Sequence, residues 1–145
     1  MPSGRPIQIL LVEDNPGDVR LTAETLRGAK LANELHVAND GEDALAFLRR
    51  EAPHTDAPRP DMVLLDLNLP GKDGMELLAD IKADESLHLI PTVILTSSAS
   101  ERDVLQTYEL RANAYVTKPI RIPEFIEAVT SIGDFWLNIV RLPPT

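Results

Sequence analysis

Glu13, Asp14, Asp66, Thr96 and Lys118 are the residues whose types and spacing carry chemistry in this 145-residue chain. Each stands at the end of, or just past, an apolar run: Ile7 to Val12, Val63 to Leu65, Thr92 to Leu95, and Ala114 to Thr117. Glu13 and Asp14 are adjacent acids, and like charges held side by side repel. Three acids brought to one point bind a small hard cation. Carboxylates with few other ligands and room for water suit Mg²⁺. A carboxylate beside such an ion can also attack phosphorus to give an aspartyl phosphate, with the ion neutralising phosphoryl oxygens and aligning the attack. Lys118 supplies a point charge to a second oxygen, and the Thr96 hydroxyl can donate to a third. Backbone amides after Asp66 and Thr96 can complete the cradle.

Taken singly, every one of these residues has an ordinary explanation. Glu13-Asp14 can solvate a strand end, Asp66 and Thr96 can cap a helix or turn, and Lys118 can be a surface charge. The elements that must position them decide against those explanations jointly. Ile7 to Val12 reads as a buried strand, followed by a helix with Asn15 as cap and Pro16 in its first turn, running to about Ala29. Asn33 to Asn39 is a short second strand, followed by a helix through Ala44, Leu45 and Leu48. Pro53, Pro58 and Pro60 mark a stiff polar connection, longer than the usual two to six residues and readable either as an insertion or as an exposed linker. Met62 to Asp66 is a strand buried on both faces. A third helix carries Leu77, Leu78 and Ile81 on one face, and Thr92 to Leu95 is the fourth strand. A helix from about Glu101 to Arg111, a strand Ala114 to Thr117 and a last helix from Ile122 or Pro123 complete the order. Strand and helix alternate five times, which predicts an α/β chain of βαβ units with a parallel sheet and helices on both faces. Right-handed crossovers put all strand ends of one polarity on one edge. The five chemical residues converge there, where open α/β sheets keep their sites.

Composition bounds the rest. The formal charge of −9 and pI near 4.7 argue against general affinity for nucleic acid or an anionic membrane. Cysteine is absent, which excludes disulfides, thiolate metal sites and a Cys nucleophile. His36, His54 and His88 are scattered without ligand spacing and read as solvent-facing or loop residues. The start, Met1 to Pro6, has no apolar signal region, and no window approaches the ~20 apolar residues of a membrane span. A cytoplasmic location is expected.

The chain resembles the receiver domain of bacterial two-component response regulators. The resemblance is carried by Leu11-Val12-Glu13-Asp14-Asn15, by Leu64-Leu65-Asp66-Leu67-Asn68-Leu69-Pro70-Gly71-Lys72-Asp73-Gly74, by Ile94-Leu95-Thr96-Ser97 and by Ala114-Tyr115-Val116-Thr117-Lys118-Pro119. These pieces stand in the family's order and spacing over nearly the whole chain. The resemblance implies a flavodoxin-like (βα)5 doubly wound fold with strand order 2-1-3-4-5. It implies a single receiver domain over 1–145, with a core of about 6–133 and a helical extension and tail of about 134–145. It further implies that Asp66 is the phosphoacceptor, and that Glu13, Asp14, Asp66 and, through its carbonyl, Asn68 hold Mg²⁺. Thr96 and Lys118 would sense the phosphoryl group, Tyr115 would be the switch aromatic, and the bond before Pro119 would be cis. One departure stands out. Many receivers carry Gly where Arg111 stands, because a helix end there adopts a left-handed conformation. Arg111 cannot adopt it freely, so the ending of the fourth helix is expected to differ, with Asn113 as an alternative for that conformation.

About 25 residues follow Pro119, barely more than one helix, so no attached effector is expected and output would pass by contact or phosphoryl relay. Ile122, Phe125, Ile126, Val129 and Ile132 keep helical spacing. Phe135, Trp136, Leu137, Ile139, Val140 and Leu142 continue beyond the expected core. Such apolar surface marks an interface, with Trp and Phe as favoured anchors, and a homodimer is expected through it. The Asp66 to Gly74 stretch and the ending through Leu142-Pro143-Pro144 are similar to small regulators partnered with bacterial phytochromes. The implied partner is a sensor histidine kinase, a bacteriophytochrome in particular. The implied function is a phosphorylation switch and not a turnover enzyme. Two alternatives remain at this point: a Mg²⁺-dependent phosphohydrolase with Asp66 as nucleophile, and a scaffold that works without phosphorylation. The first lacks an acid two residues past Asp66, where Asn68 stands. The second is opposed by the intact set of site residues.

Overall fold

The computed structural model describes residues 6–28, 32–67, 69, 74–96, 109, 111–112, 114–118, 121–124 and 127, with the backbone alone at 96 and 117. Five strands, β1 Ile7–Val12, β2 Asn33–Ala38, β3 Met62–Leu65, β4 Thr92–Thr96 and β5 Ala114–Thr117, form one parallel sheet in the order β2-β1-β3-β4-β5. Three helices among the described residues connect or follow them: α1 Pro16–Arg27, α2 Gly41–Arg49 and α3 Gly74–Ala83. The expected flavodoxin-like order is therefore the observed one.

The two periodicities of the sequence divide the core. Alternate strand residues point to opposite faces. Leu10, Val12, Val63, Leu65 and Ile94 pack with Ala44, Phe47 and Leu48 of α2 and with Leu77, Leu78 and Ile81 of α3. Ile9, Leu11, Met62, Leu64, Val93 and Leu95 form the opposite face, closed by Leu26 of α1. Covering both faces is why β3 reads as an unbroken apolar run and β1 as one broken only at Gln8, rather than as alternating ones.

The helix starts are fixed locally. Asn15 caps α1 by accepting from the Asp18 amide at 3.0 Å, with Pro16 in the first turn. Asp40 caps α2 through the Asp43 amide at 2.8 Å. The long connection before β3 is docked on the domain rather than left as an exposed linker. His54 reaches Asp43 at 2.7 Å, Ala57 packs against the core, and Arg59 donates to the Ser86 carbonyl at 2.8 Å. His36 and His54 are half-buried and flank the Phe47 ring; the loop residue His54 and the exposed His88 meet the solvent-facing or loop expectation, and His36, on β2, does not. The Ala52–Pro53 peptide in this connection is cis.

Arg111 corrects one expectation. It adopts the left-handed conformation itself, at φ 68°, while Asn113 lies outside the described residues. The helix end keeps the shape that glycine usually permits, with the steric penalty of a side chain. The stretches expected to form the fourth helix and the apolar face of the last one lie mostly outside the described residues. Within them, Glu109, residues 122–124 and Glu127 are helical.

Gly74 positions the site. Its amide donates to the Leu67 carbonyl at 3.1 Å, and a Cβ there would lie 2.4 Å from the Asp66 carbonyl oxygen and 2.5 Å from Leu67 Cα. Both obstacles are backbone, so α3 can start this close to the end of β3 only without a side chain. Gly74→Ala should therefore destabilise the protein by about 1–3 kcal/mol, although alanine is the better helix former by ~1 kcal/mol. The check is a lower urea midpoint at unchanged slope.

Candidate phosphoryl and metal site

The strand register brings the chemical residues to one edge. Val12 pairs with Ala38 on one side and Leu65 on the other, Leu65 pairs with Ile94, and Thr96 pairs with Thr117. Glu13, Asp66 and Lys118 are each the first residue past a strand end. Backbone bonds extend the ladder by one step. The Glu13 amide donates to the Ala38 carbonyl at 3.0 Å, and the Asp66 amide donates to the Val12 carbonyl at 3.0 Å. Two acids are thereby fixed by main chain before their side chains are considered.

Glu13 and Asp66 are buried, while Asp14 is exposed. One carboxylate oxygen from each of the three lies within 4.8 Å of the others. This all-oxygen set, open to solvent on the Asp14 side, fits a hard divalent cation that keeps several waters. The Lys118 ammonium supplies the positive charge. It bonds Glu13 Oε1, Asp18 Oδ2 at 2.9 Å and Asp66 Oδ2 at 3.1 Å. Its stem is nearly buried, with 12% of the side chain exposed.

Charge in this space is unevenly matched. Burial pushes Glu13 up to about 7; the Lys118 ammonium opposes that shift and the adjoining Asp66 carboxylate adds to it. Burial alone would lower Lys118, but its bonds to Glu13, Asp18 and Asp66 outweigh that and hold it above the ordinary lysine range.

The structure brings together part of the sequence-predicted set. Glu13, Asp14, Asp66 and Lys118 meet. Thr96 ends β4 beside Thr117, the residue before Lys118, and its side chain lies outside the described atoms. Tyr115 is half-buried on β5, against the core face that α2 and α3 share. Asn68, Pro119 and the expected interface residues Phe135, Trp136, Leu137, Ile139, Val140 and Leu142 lie outside the described residues. Asp18 was missed. The signal was present: an acid in the first turn of a helix that begins at the site edge, on an element whose side chains lean towards its N-terminus.

Glu13 gives the metal-free protein a pH dependence of defined sign. The folded state holds a proton on Glu13 up to about 7, against 4.5 for a free glutamate. Between those values the folded state binds more proton than the unfolded one, so stability falls as pH rises through that window. The lysine contribution is lost only at far higher pH. In chelator, the urea midpoint should drop between about pH 5 and 7, and Glu13→Gln should flatten that drop.

Known proteins agree with this geometry. The model of the response regulator receiver domain matches residues 9–130. Response regulator Rcp1 of Synechocystis sp. is 45% identical over 141 residues, covering 97% of this chain and 96% of Rcp1. The structure of its Mn²⁺-bound form superposes with a TM-score of 0.76, over 96% of this chain and 100% of that one. The bacteriophytochrome response regulator AtBRR superposes with a TM-score of 0.83 at 41% identity, over 97% and 98% of the two chains. The phosphorylated cyanobacterial phytochrome response regulator RcpA gives 0.77 at 43% identity, over 97% and 100%.

Proposed function

The chain belongs to the response regulator receiver domain family, and from that premise we propose that Asp66 is its phosphoacceptor. The carrying observation is the Lys118 ammonium bridging the buried Asp66 and Glu13 at the carboxyl edge of the sheet. Response regulators of this kind act in phosphorylation-based signalling. Here one Asp66 oxygen forms the new bond to phosphorus. The bond from phosphorus to the donor's imidazole nitrogen breaks, and the imidazole leaves with its electron pair. Lys118 meets the charge on the phosphoryl oxygens, with the Thr96 hydroxyl and nearby backbone amides as further donors. Glu13, Asp14 and Asp66, with the Asn68 carbonyl, would hold Mg²⁺, whose charge offsets that of the transferred group. The Mn²⁺-bound form of Rcp1 supports a divalent ion.

The histidine kinase partner is read as a bacteriophytochrome, a reading supported by AtBRR and RcpA. Among the described residues no helix is long and apolar enough to cross a membrane. The cytoplasm is the proposed compartment, and neither nucleic acid nor membrane is proposed as a partner. Tyr115 is the proposed switch aromatic, and the bond before Pro119 is proposed to be cis. The protein is proposed to carry a signal rather than to turn over a substrate.

Beryllofluoride with Mg²⁺ mimics the aspartyl phosphate and tests the central claim. The wild type should bind it, and Asp66→Asn should abolish binding. Binding that survives the substitution would sink the assignment. The apolar run from Phe135 to Leu142 supports a homodimer built on the C-terminal segment. Trp136→Ala should shift sedimentation towards monomer, and an unchanged mass would reject this interface.

A further inference from the structure

We propose that Asp18 is a positioning residue of the phosphorylation site, holding the Lys118 ammonium where it meets the phosphoryl group. The inference rests on the function proposed above. An ammonium has three donors, and those of Lys118 face three carboxylates: Glu13, Asp18 at 2.9 Å and Asp66 at 3.1 Å. Glu13 and Asp66 belong to the trio that fits a cation, and Asp18 does not. Glu13 and Asp66 are thus also needed for the ion and the phosphoryl group themselves. Asp18 is the partner of Lys118 that keeps no such second duty.

Asp18 is placed for this role by a different element from the rest of the site. It sits in the first turn of α1, where its amide is held by the Asn15 cap at 3.0 Å. The lean of helical side chains carries its carboxylate back over the strand ends. Its side chain is 40% exposed against 12% for Lys118, so it stands on the solvent side of the ammonium. A lysine head on a flexible four-carbon stem is useful as a point charge only where something fixes it. The Asp18 contact leaves two donors for phosphoryl oxygens. An opposing effect exists, because the negative charge of Asp18 also repels a phosphoryl group. Asparagine keeps an acceptor and removes the charge, whereas alanine removes both, so the two substitutions separate positioning from repulsion.

The test titrates beryllofluoride at saturating Mg²⁺ into wild type, Asp18→Asn, Asp18→Ala and the Asp66→Asn control. It also follows the Lys118 ε-methylene signal by NMR in the Mg²⁺-loaded protein before beryllofluoride is added, where Glu13 and Asp66 turn to the ion. Asp18→Ala should bind about fivefold more weakly and Asp18→Asn within about twofold of wild type. The Lys118 signal should take on the narrow line of a mobile side chain in the alanine variant alone. Unchanged binding by Asp18→Ala, or equal tightening in both variants, overturns the role of Asp18. If the wild type fails to bind, or Asp66→Asn binds equally, the phosphoacceptor reading falls and this inference falls with it.

Discussion

Everything described at the carboxyl edge of this sheet answers to one imbalance: among the described residues, a single ammonium is set among acids. Lys118 contacts Glu13, Asp18 and Asp66, and Asp14 stands beside them. Two of these acids are buried, so water cannot screen them. The Lys118 contacts keep the metal-free arrangement together, yet among the described residues one cation faces several acids and cannot neutralise them all. Burial is the main reason Glu13 holds its proton to about 7, and the residual charge on Asp66 adds to it. The same residual charge makes the site a receiver for a divalent ion. Stability is sacrificed locally for a place where positive charge is wanted.

Such an arrangement survives only on rigid supports. Glu13, Asp66 and Lys118 are single residues past the ends of buried strands, and two of them are tied to neighbouring strands by main-chain hydrogen bonds. The apolar faces beneath them are filled on both sides of the sheet. Gly74 lets α3 begin against the backbone of Asp66 and Leu67. The acids therefore cannot relieve their repulsion by moving apart through the main chain, and the available responses are protonation, ion binding or rearrangement of the lysine.

The frame of this site was legible because buried parallel strands leave a strong trace. Met62 to Leu65 is an unbroken apolar run and Ile7 to Val12 one broken only at Gln8, each with an acid directly after, and the structure begins and ends β1 where the pattern did. Strand order was not legible from periodicity, since alternation says that strands are parallel but not which are neighbours; the family resemblance supplied it. Asp18 escaped for a different reason. Its role depends on the direction of a side chain on the first turn of α1 and on a lysine 100 positions away, and neither leaves a pattern in hydropathy. Arg111 was misjudged because a preference was treated as a requirement. The left-handed conformation is penalised for a side chain but not forbidden, and the backbone there takes it at φ 68°.

The balance between signal and turnover follows from the same charges. A hydrolase of this general type needs an acid near the nucleophile to protonate the leaving group. The position two residues after Asp66 holds Asn68, which has no proton to give. The nearest buried acid, Glu13, is engaged by Lys118 and belongs to the group that fits the cation. Of the groups gathered at this edge, Lys118 stabilises negative charge and Glu13, Asp14 and Asp66 attract positive charge. An edge built in this way suits the phosphoacceptor role proposed for Asp66, and the three contacts of Lys118 connect the ends of β1, β3 and β5 with the start of α1.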